Sequence, residues 1–424
     1  MVPWFYASLL QLWIVLASAT AANTQQPLHA VKPFRIDLSA GVPHMYDLLR
    51  RSHLPAKEGY PGIGSTAGID LSVLKSLKKE WLDDFDWQHE EKELNRFHHF
   101  TTSIENITLH FIHERSSDPH AIPILLNHGW PGSFTEFIPV INDLTKVSET
   151  SNGKPISFHV VVPSLPGFTF SSPPPANWTL EDTARIQHTL MTKILGYETF
   201  ATHGTDYGSG PSYTLYKNYS DTVRAAHFSF VPFLPYLPEQ LAAANITLNT
   251  TLEKDEQANA LVWRTAGNAY FSVQATKPNT IGLALHDNPL GQLAWMGEKF
   301  ISWSDPRQGT PPSVLTHTDI LRSVSLFYLT KSFVSSVYTY YQNPTTFSPT
   351  YPDPGTLPTD LGPMLFSAFK YNVGYWPPQL LEKIGNLVYY KNHDFGGHFA
   401  GVDNPPALIE DLREIGTYWN GTAL

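Results

Sequence analysis

The stretch that decides the fold is FATHGTDYGSG, residues 200–210. A short apolar run leads directly into a turn in which Gly204, Gly208 and Ser209 surround Asp206. This spacing is typical of a sharp turn from a strand into a helix, because backbone crowding at such a turn tolerates only small neighbours. The stretch therefore predicts a buried strand, a tight elbow at Asp206 and a helix. A glycine-rich turn in which the aspartate merely caps the helix is the alternative interpretation.

Short apolar runs, separated by helical windows, lie on both sides of this elbow. They occupy residues 122–126, 158–162, 200–202, 225–230, 364–369 and 387–390. Runs of this length indicate buried strands of a mostly parallel sheet flanked by helices. The long segment between the fourth and fifth runs has helical patterning, and we expect it to form a lid over the carboxyl edge of the sheet, where open α/β sheets place their sites.

The length of 424 residues suits one large domain with a lid. Residues 31–120 look irregular, apart from a helical stretch from Val73 to Trp87. We therefore divide the chain into a leader at 1–22, an N-terminal segment at 23–120, a first core half at 121–230, a lid at 231–363 and a second core half at 364–424.

Composition excludes several classes of function. A net charge of −10 without any basic run argues against a nucleic-acid partner. The absence of cysteine excludes disulfides and zinc-thiolate sites. Aromatic residues make up 13% of the chain, which suggests an aromatic-lined pocket in addition to ordinary core packing.

The first 22 residues are almost wholly apolar, and the small-x-small patterns at 17–19 and 19–21 are those that signal peptidase reads. An uncleaved membrane anchor is the alternative, because a basic start is missing and the run is nearly long enough to span a bilayer. Six glycosylation sequons fit passage through the secretory pathway. They lie at Asn106, Asn177, Asn218, Asn245, Asn249 and Asn420. We expect a protein that is secreted, or held in the lumen or membrane of the endoplasmic reticulum, and a homodimer is left open.

Asp206 stands where most hydrolases with this elbow carry serine. A carboxylate with a pKa of about 4 is already ionised and attacks without a base. Its natural electrophile is a saturated carbon. Attack opens an epoxide or displaces a halide, and it leaves an alkyl ester that water must then hydrolyse.

HGWPG, residues 128–132, follows the run at 122–126. Its glycines and proline make a tight loop that can direct a backbone N–H at a developing oxyanion, so the N–H groups of Trp130 and Tyr207 are oxyanion-hole candidates. A plain turn at the end of a strand would look similar in isolation.

DFGGHFA, residues 394–400, comes after the final apolar run. The fold's chain order of nucleophile, acid and base places the base there, and the glycine pair lets the loop bring an imidazole close. This position favours His398 as general base. A structural histidine is the alternative, since the chain contains 18 of them.

With these motifs the chain resembles the microsomal epoxide hydrolase family, including its fungal secreted-pathway members, over nearly its whole length after the leader. HGWPG, the GxDxGS elbow and GGHFA match the oxyanion, nucleophile and base motifs of that family. The region with Trp81, Phe85, Trp87 and Asn95 resembles the N-terminal segment that wraps the core and lid. The resemblance implies an α/β-hydrolase fold and an enzyme that converts an epoxide into a vicinal diol. The aromatic lid suggests a bulky, apolar epoxide of secondary metabolism, and this chemistry requires no metal or organic cofactor.

The lid carries a further match at residues 270–278, 285–289 and 295–300. In the family, two lid tyrosines hydrogen-bond the epoxide oxygen and donate a proton as the ring opens. Tyr270 takes the first place, and Tyr340 corresponds best to the second, with Tyr338 and Tyr341 as neighbouring candidates. A phenol with a pKa of about 10 remains protonated at neutral pH and can stabilise the leaving oxygen. Rings that only pack the lid are the alternative.

The triad acid is where the chain departs from the pattern. The loop after the run at 364–369 has Asn372 in the expected position. An amide oxygen can accept the imidazole Nδ1–H, but it cannot stabilise the imidazolium as a carboxylate does, and a rotated amide would select the wrong tautomer. Glu239, Glu382 and Asp394 are unconvincing replacements.

Asn372 therefore predicts that alkylation survives while hydrolysis of the ester is slow, or that the natural substrate needs less assistance from the base. A bound substrate hydroxyl could instead open the epoxide to give a cyclic ether. Two other classes are weighed against this interpretation. One is a hydrolase of the same fold that acts on an alkyl halide or an ester, and the other is a catalytically inactive relative that only binds an apolar ligand.

Overall fold

The computed structural model describes residues 30–352 and 354–421. The strands are β1 (Lys32–Phe34), β2 (His99–Ile104), β3 (Ile107–Glu114), β4 (Ile122–Asn127), β5 (Ser148–Glu149), β6 (Pro155–Ile156), β7 (Phe158–Pro163), β8 (Phe200–Gly204), β9 (Val223–Phe228), β10 (Pro363–Tyr371) and β11 (Asn386–Gly397). The predicted leader, with its cleavage or anchoring, lies outside the described residues.

The helices follow in chain order. They are α1 (Val42–Arg51), α2 (Leu71–Asp83), α3 (Trp87–Leu94), α4 (Ile138–Thr145), α5 (Leu180–Thr189), α6 (Ser209–Asn218), α7 (Pro238–Ala243), α8 (Thr251–Val262), α9 (Ala269–Thr276), α10 (Pro278–Leu285), α11 (Pro289–Gln292), α12 (Glu298–Ser302), α13 (His317–Leu329), α14 (Phe333–Gln342), α15 (Pro378–Leu381), α16 (Ala400–Asp403), α17 (Pro405–Arg413) and α18 (Ile415–Tyr418). No helix within the described ranges is long and apolar enough to cross a membrane.

One nine-stranded sheet organises the molecule, in the order β1-β2-β3-β7-β4-β8-β9-β10-β11. Every neighbouring pair from β7 to β11 is parallel, whereas β1, β2 and β3 add an antiparallel edge. All six residues of β4 and all six of β7 are buried, because the sheet is covered on both faces. This burial explains the continuous apolar runs and confirms the predicted mostly parallel α/β-hydrolase fold.

The expectation of an irregular segment at 31–120 was wrong in part, since this segment supplies β1, β2 and β3. The apolar pattern did not predict these strands, because their buried faces include polar side chains. His99 Nδ1 and His110 Nε2 lie 3.0 Å apart between β2 and β3 and satisfy each other inside the protein. The predicted helix from Val73 to Trp87 is in fact two helices, because α2 ends at Asp83 and the side chain of Asp86 caps the start of α3.

The N-terminal segment also contacts the lid. Trp81 Nε1 on α2 donates to Ser325 Oγ on α13 at 3.0 Å. Elsewhere in the segment, the amide of Asn95 accepts from the N–H of Ile36 and donates to its carbonyl, at 2.9 Å each. The lid itself consists of α7 to α14, which lie between β9 and β10 in the chain. The segment thus fastens the helices that cover the carboxyl edge of the sheet.

Candidate active site

The elbow between β8 and α6 places Asp206 with φ of 44°, in the left-handed region that side chains rarely adopt. A Cβ at Gly204 would lie 2.7 Å from Ser212 Cβ, and one at Gly208 would collide with the carbonyl oxygen of Asn127. Only glycine fits these two positions. The local sequence therefore forces the strained turn that presents the carboxylate at the end of the strand.

The HGWPG loop holds one oxygen of this carboxylate. The Trp130 N–H donates to Asp206 Oδ1 at 2.8 Å, and a Cβ at Gly129 would overlap the same oxygen. The other oxygen, Oδ2, lies 3.2 Å from His398 Nε2, although the angles are not those of a hydrogen bond. Tyr207 follows Asp206 on the elbow with a fully buried ring, and the oxyanion role of its N–H stays a prediction.

The His398 loop is held by the residue that follows α12. The His398 N–H donates to the Trp303 carbonyl at 2.8 Å. Gly397 lies so close to the same carbonyl that a side chain would collide with it, and Gly396 has φ of 104°. The glycine pair thus brings the imidazole against Asp206. The sequence predicted that this motif follows the last strand. β11 in fact continues to Gly397, so the motif begins within that strand.

Asn372 faces the other side of the imidazole, with its Oδ1 at 2.8 Å from His398 Nδ1. The amide orientation is fixed by two backbone groups. Its Nδ2 donates to the Ser229 carbonyl, and its Oδ1 accepts the Val373 N–H, each at 2.8 Å. Because Oδ1 can only accept, the ring must carry its proton on Nδ1. In the neutral imidazole this leaves Nε2 without hydrogen and directed at Asp206, which is the tautomer that the predicted role requires.

The three candidate replacement acids do not lie in the buried site around His398. Glu239, Glu382 and Asp394 are exposed at the surface. The described partner of the imidazole Nδ1 is the neutral amide of Asn372. This side of the imidazole consequently lacks the negative charge that would stabilise an imidazolium.

Two lid tyrosines pack against Trp130, whose N–H binds Asp206. Tyr270 on α9 stacks on Trp130, with ring centroids 5.3 Å apart, and Tyr340 on α14 meets the same indole edge-on at 5.8 Å. Burial is the main cause that raises the pKa of both phenols well above the usual value. The alternatives for Tyr340 point elsewhere, because Tyr338 OH donates to Asn279 and Tyr341 is 56% exposed.

The sequence interpretation overlooked Glu136, which lies four residues beyond the HGWPG motif. Its carboxyl group is buried, and burial together with the charge of Asp206 raises its pKa well above the ordinary value. A carboxyl group that resists ionisation at this place avoids setting a second negative charge beside Asp206. The only sequence signal was an acidic residue within the apolar stretch FTEF.

Comparisons with known proteins concern the family and the fold. Residues 31–137 match the family model described as epoxide hydrolase N terminus, and residues 122–263 match the alpha/beta hydrolase fold. The structure of the Aspergillus niger epoxide hydrolase superimposes with a TM-score of 0.77 at 33% identity, over 92% of this chain and 97% of that one.

More distant relatives extend the same pattern. The juvenile hormone epoxide hydrolase structure from the silkworm Bombyx mori matches with a TM-score of 0.75 at 25% identity, over 92% of this chain and 94% of its own. Epoxide hydrolase 1 of Oryctolagus cuniculus is 30% identical over 81% of this chain and 80% of its length. On this evidence the chain belongs to the epoxide hydrolase family and has its α/β-hydrolase fold.

Proposed function

We propose that this epoxide hydrolase works through a covalent ester on Asp206. The observation that carries the proposal is the carboxylate itself, with Oδ1 held by the Trp130 N–H and Oδ2 at 3.2 Å from His398 Nε2. Oδ2 attacks an epoxide carbon, the C–O bond of the ring breaks, and Oδ1 becomes the ester carbonyl oxygen. The N–H that now holds Oδ1 is then in place to stabilise the oxyanion of the second step.

Ring opening needs a proton for the departing oxygen, and Tyr270 and Tyr340 supply the donors. Both phenols are buried beside Trp130, and the Tyr340 OH has no hydrogen bond of good geometry in the described part of the chain. A buried hydroxyl without such a bond costs stability unless a ligand completes it. The epoxide oxygen is the acceptor that would do so.

The second step hydrolyses the ester. His398 Nε2 takes a proton from water as the water oxygen attacks the ester carbonyl carbon. The bond from that carbon to Oδ2 then breaks, Oδ2 leaves with the diol and receives the proton from His398, and Asp206 is left as a carboxylic acid that contains the water oxygen. Asn372 holds the required tautomer, but its neutral amide leaves the imidazolium less stabilised than a carboxylate would. Hydrolysis of the ester is therefore the slow step of the cycle.

The substrate that suits this site is bulky and apolar. Aromatic rings surround the triad, including Phe230 at 5.5 Å from His398, Phe347 at 5.1 Å from Tyr207 and Phe271 at 5.3 Å from Tyr340, all between ring centroids. Such walls favour an epoxide that carries large apolar substituents. A vicinal diol is the product.

A single turnover in oxygen-18 water tests the covalent route. Enzyme in excess over trans-stilbene oxide should release a diol with no label, because its new oxygen comes from Asp206, and the label should appear in the peptide that contains Asp206. Labelled diol in the first turnover would show direct attack by water. No diol and no ester with this probe would favour the inactive, ligand-binding interpretation.

The secretory location belongs to the same proposal. All six sequon asparagines are exposed at the surface, where an oligosaccharide transferase could reach them. They are Asn106, Asn177, Asn218, Asn245, Asn249 and Asn420. Protein made in a eukaryotic secretory host should lose mass on treatment with peptide N-glycosidase, and an unchanged mass would contradict glycosylation. The fungal source, membrane association and homodimer stay predictions.

A further inference from the structure

A buried lysine lies directly behind the proposed proton donor. Lys299 is the second residue of α12, and only 5% of it is exposed. Its ammonium forms an ion pair with the adjacent Glu298, whose side chain remains 24% exposed. Lysines are rarely buried, because removing an ammonium from water is costly, so this one calls for a compensating role.

The ammonium is also enclosed by aromatic faces. It lies 5.3 Å from the ring centroid of Tyr270 and 4.9 Å from that of Trp295. The indole is fixed by its own hydrogen bond, because Trp295 Nε1 donates to Gln274 Oε1 at 3.0 Å. Gln274 lies on α9, one helical turn after Tyr270. Lysine, indole and phenol therefore form one packed unit beside α9 and α12.

We propose that Lys299 is a positioning residue for ring opening, which stabilises the negative charge that Tyr270 acquires when its phenol gives a proton to the epoxide oxygen. The inference rests on the proposed function, in which Asp206 attacks while Tyr270 donates. As the Asp206–carbon bond forms and the epoxide C–O bond breaks, the proton passes to the oxygen and Tyr270 becomes a phenolate. After hydrolysis the Asp206 carboxylic acid returns a proton to Tyr270, and the cycle closes.

The electrostatics explain why a cation is needed there. Burial, the charge of Asp206 and the charge of Glu298 all raise the pKa of Tyr270, whereas the contact with Tyr340 lowers it. A phenol in such surroundings is a weak acid. A cation over the ring face stabilises the phenolate, and in a buried site this attraction is weakly screened.

The same neighbours set the pH dependence. Asp206 and Tyr207 face the phenol from the elbow, and Tyr340 faces it from α14. The charge of Asp206 raises the pKa of Tyr270, and burial raises the pKa of Tyr207 and of Tyr340 well above the usual value. Burial lowers the pKa of Lys299, while the pKa of Tyr270 is raised. As the pH rises, Lys299 thus loses its proton before Tyr270 does, and the alkylation rate should fall with it.

Transient kinetics of Lys299→Met and Lys299→Arg test this role. The alkylation rate is measured by stopped-flow protein fluorescence with trans-stilbene oxide, from neutral to alkaline pH. We expect Lys299→Met to alkylate about 10- to 100-fold more slowly at neutral pH and to lose the alkaline fall. Lys299→Arg should stay within a few-fold of the unmodified protein, with its alkaline fall moved to higher pH, because guanidinium keeps its charge.

Equal losses in both variants, with the alkaline fall unmoved, would assign Lys299 to packing alone and overturn the proposal. Should Lys299→Met fail to fold, Glu298→Gln gives an independent test at a partly exposed position. Without its carboxylate partner Lys299 should lose its proton more readily, so the alkaline fall should move to lower pH, and an unmoved profile would also refute the role. Absence of any Asp206 ester in the unmodified protein would instead reject the proposed function.

Discussion

The active site has a nucleophile side, around the proposed nucleophile Asp206, and a base side, around the proposed base His398. Hydrogen bonds orient both groups, but the two sides differ in charge. Asp206 sits on a strained elbow, and the Trp130 N–H binds one of its oxygens. His398 is oriented by Asn372, whose amide is itself fixed by two backbone hydrogen bonds. The geometry of both sides is therefore fixed, but on the base side the partner of the His398 imidazole is a neutral amide and not a carboxylate. Alkylation and hydrolysis depend on different groups, so the two steps can be separated.

Loss of the nucleophile should have the largest effect. Asp206→Asn keeps the shape, and asparagine tolerates the positive φ of this elbow better than most other side chains do. We expect alkylation with trans-stilbene oxide to fall by at least about 10⁴-fold, with the fold retained. Asp394→Asn, on the surface, is the matched control. Ester formation at near-normal rate in Asp206→Asn would place the nucleophile elsewhere.

Loss of the base should affect only the second step. His398→Gln removes the group that activates water, while Asp206 and the tyrosines remain. The ester should form within about tenfold of the normal rate and then persist, because hydrolysis slows by about 10²- to 10⁴-fold. Intact-protein mass spectrometry would show one substrate equivalent bound. The exposed His89→Gln serves as control, and equal slowing of both steps would show that the sides are not separable.

Most of this site could be predicted from the sequence, because its motifs are local. The small residues around Asp206, the HGWPG loop and the glycines before His398 each determine their own turn, and each lies at the end of a strand that its apolar run predicted. The antiparallel strands β2 and β3 were missed because His99 and His110 interrupt their apolar patterning, and only the contact between the two rings makes their burial tolerable.

The remaining features depend on contacts between distant parts of the chain. The orientation of the Asn372 amide follows from the Ser229 carbonyl, which is 143 positions away in sequence. The place of Lys299 over Tyr270 follows from the tertiary arrangement of the lid. A pattern of residue types states which groups are present. It does not predict which tautomer a histidine adopts or which ring face a cation contacts.

The lid offers a smaller and more selective test. Tyr340→Phe removes one of the two proposed donors from the nucleophile side, and Tyr270 remains to serve the epoxide oxygen. Alkylation should slow by about 10- to 100-fold, without change in the rate of ester hydrolysis. Tyr338→Phe, the same substitution on the same helix, should stay within about twofold of the unmodified rate, since this phenol bonds Asn279 instead. Equal effects at both positions would leave the second donor unassigned.

Restoring a carboxylate at Asn372 should have the smallest effect, for a structural reason. The introduced carboxylate would stabilise the imidazolium and speed hydrolysis, yet its second oxygen would face the Ser229 carbonyl, to which the amide now donates at 2.8 Å. We expect Asn372→Asp to hydrolyse the ester about tenfold faster and to lose about 1–3 kcal/mol of unfolding free energy, because two acceptors then meet in a buried place. Single-turnover kinetics and urea unfolding measure the two effects, with the exposed Asn142→Asp as control. If the ester accumulated as before, the amide would not be what limits His398, and the contrast in charge between the two sides would have no kinetic consequence.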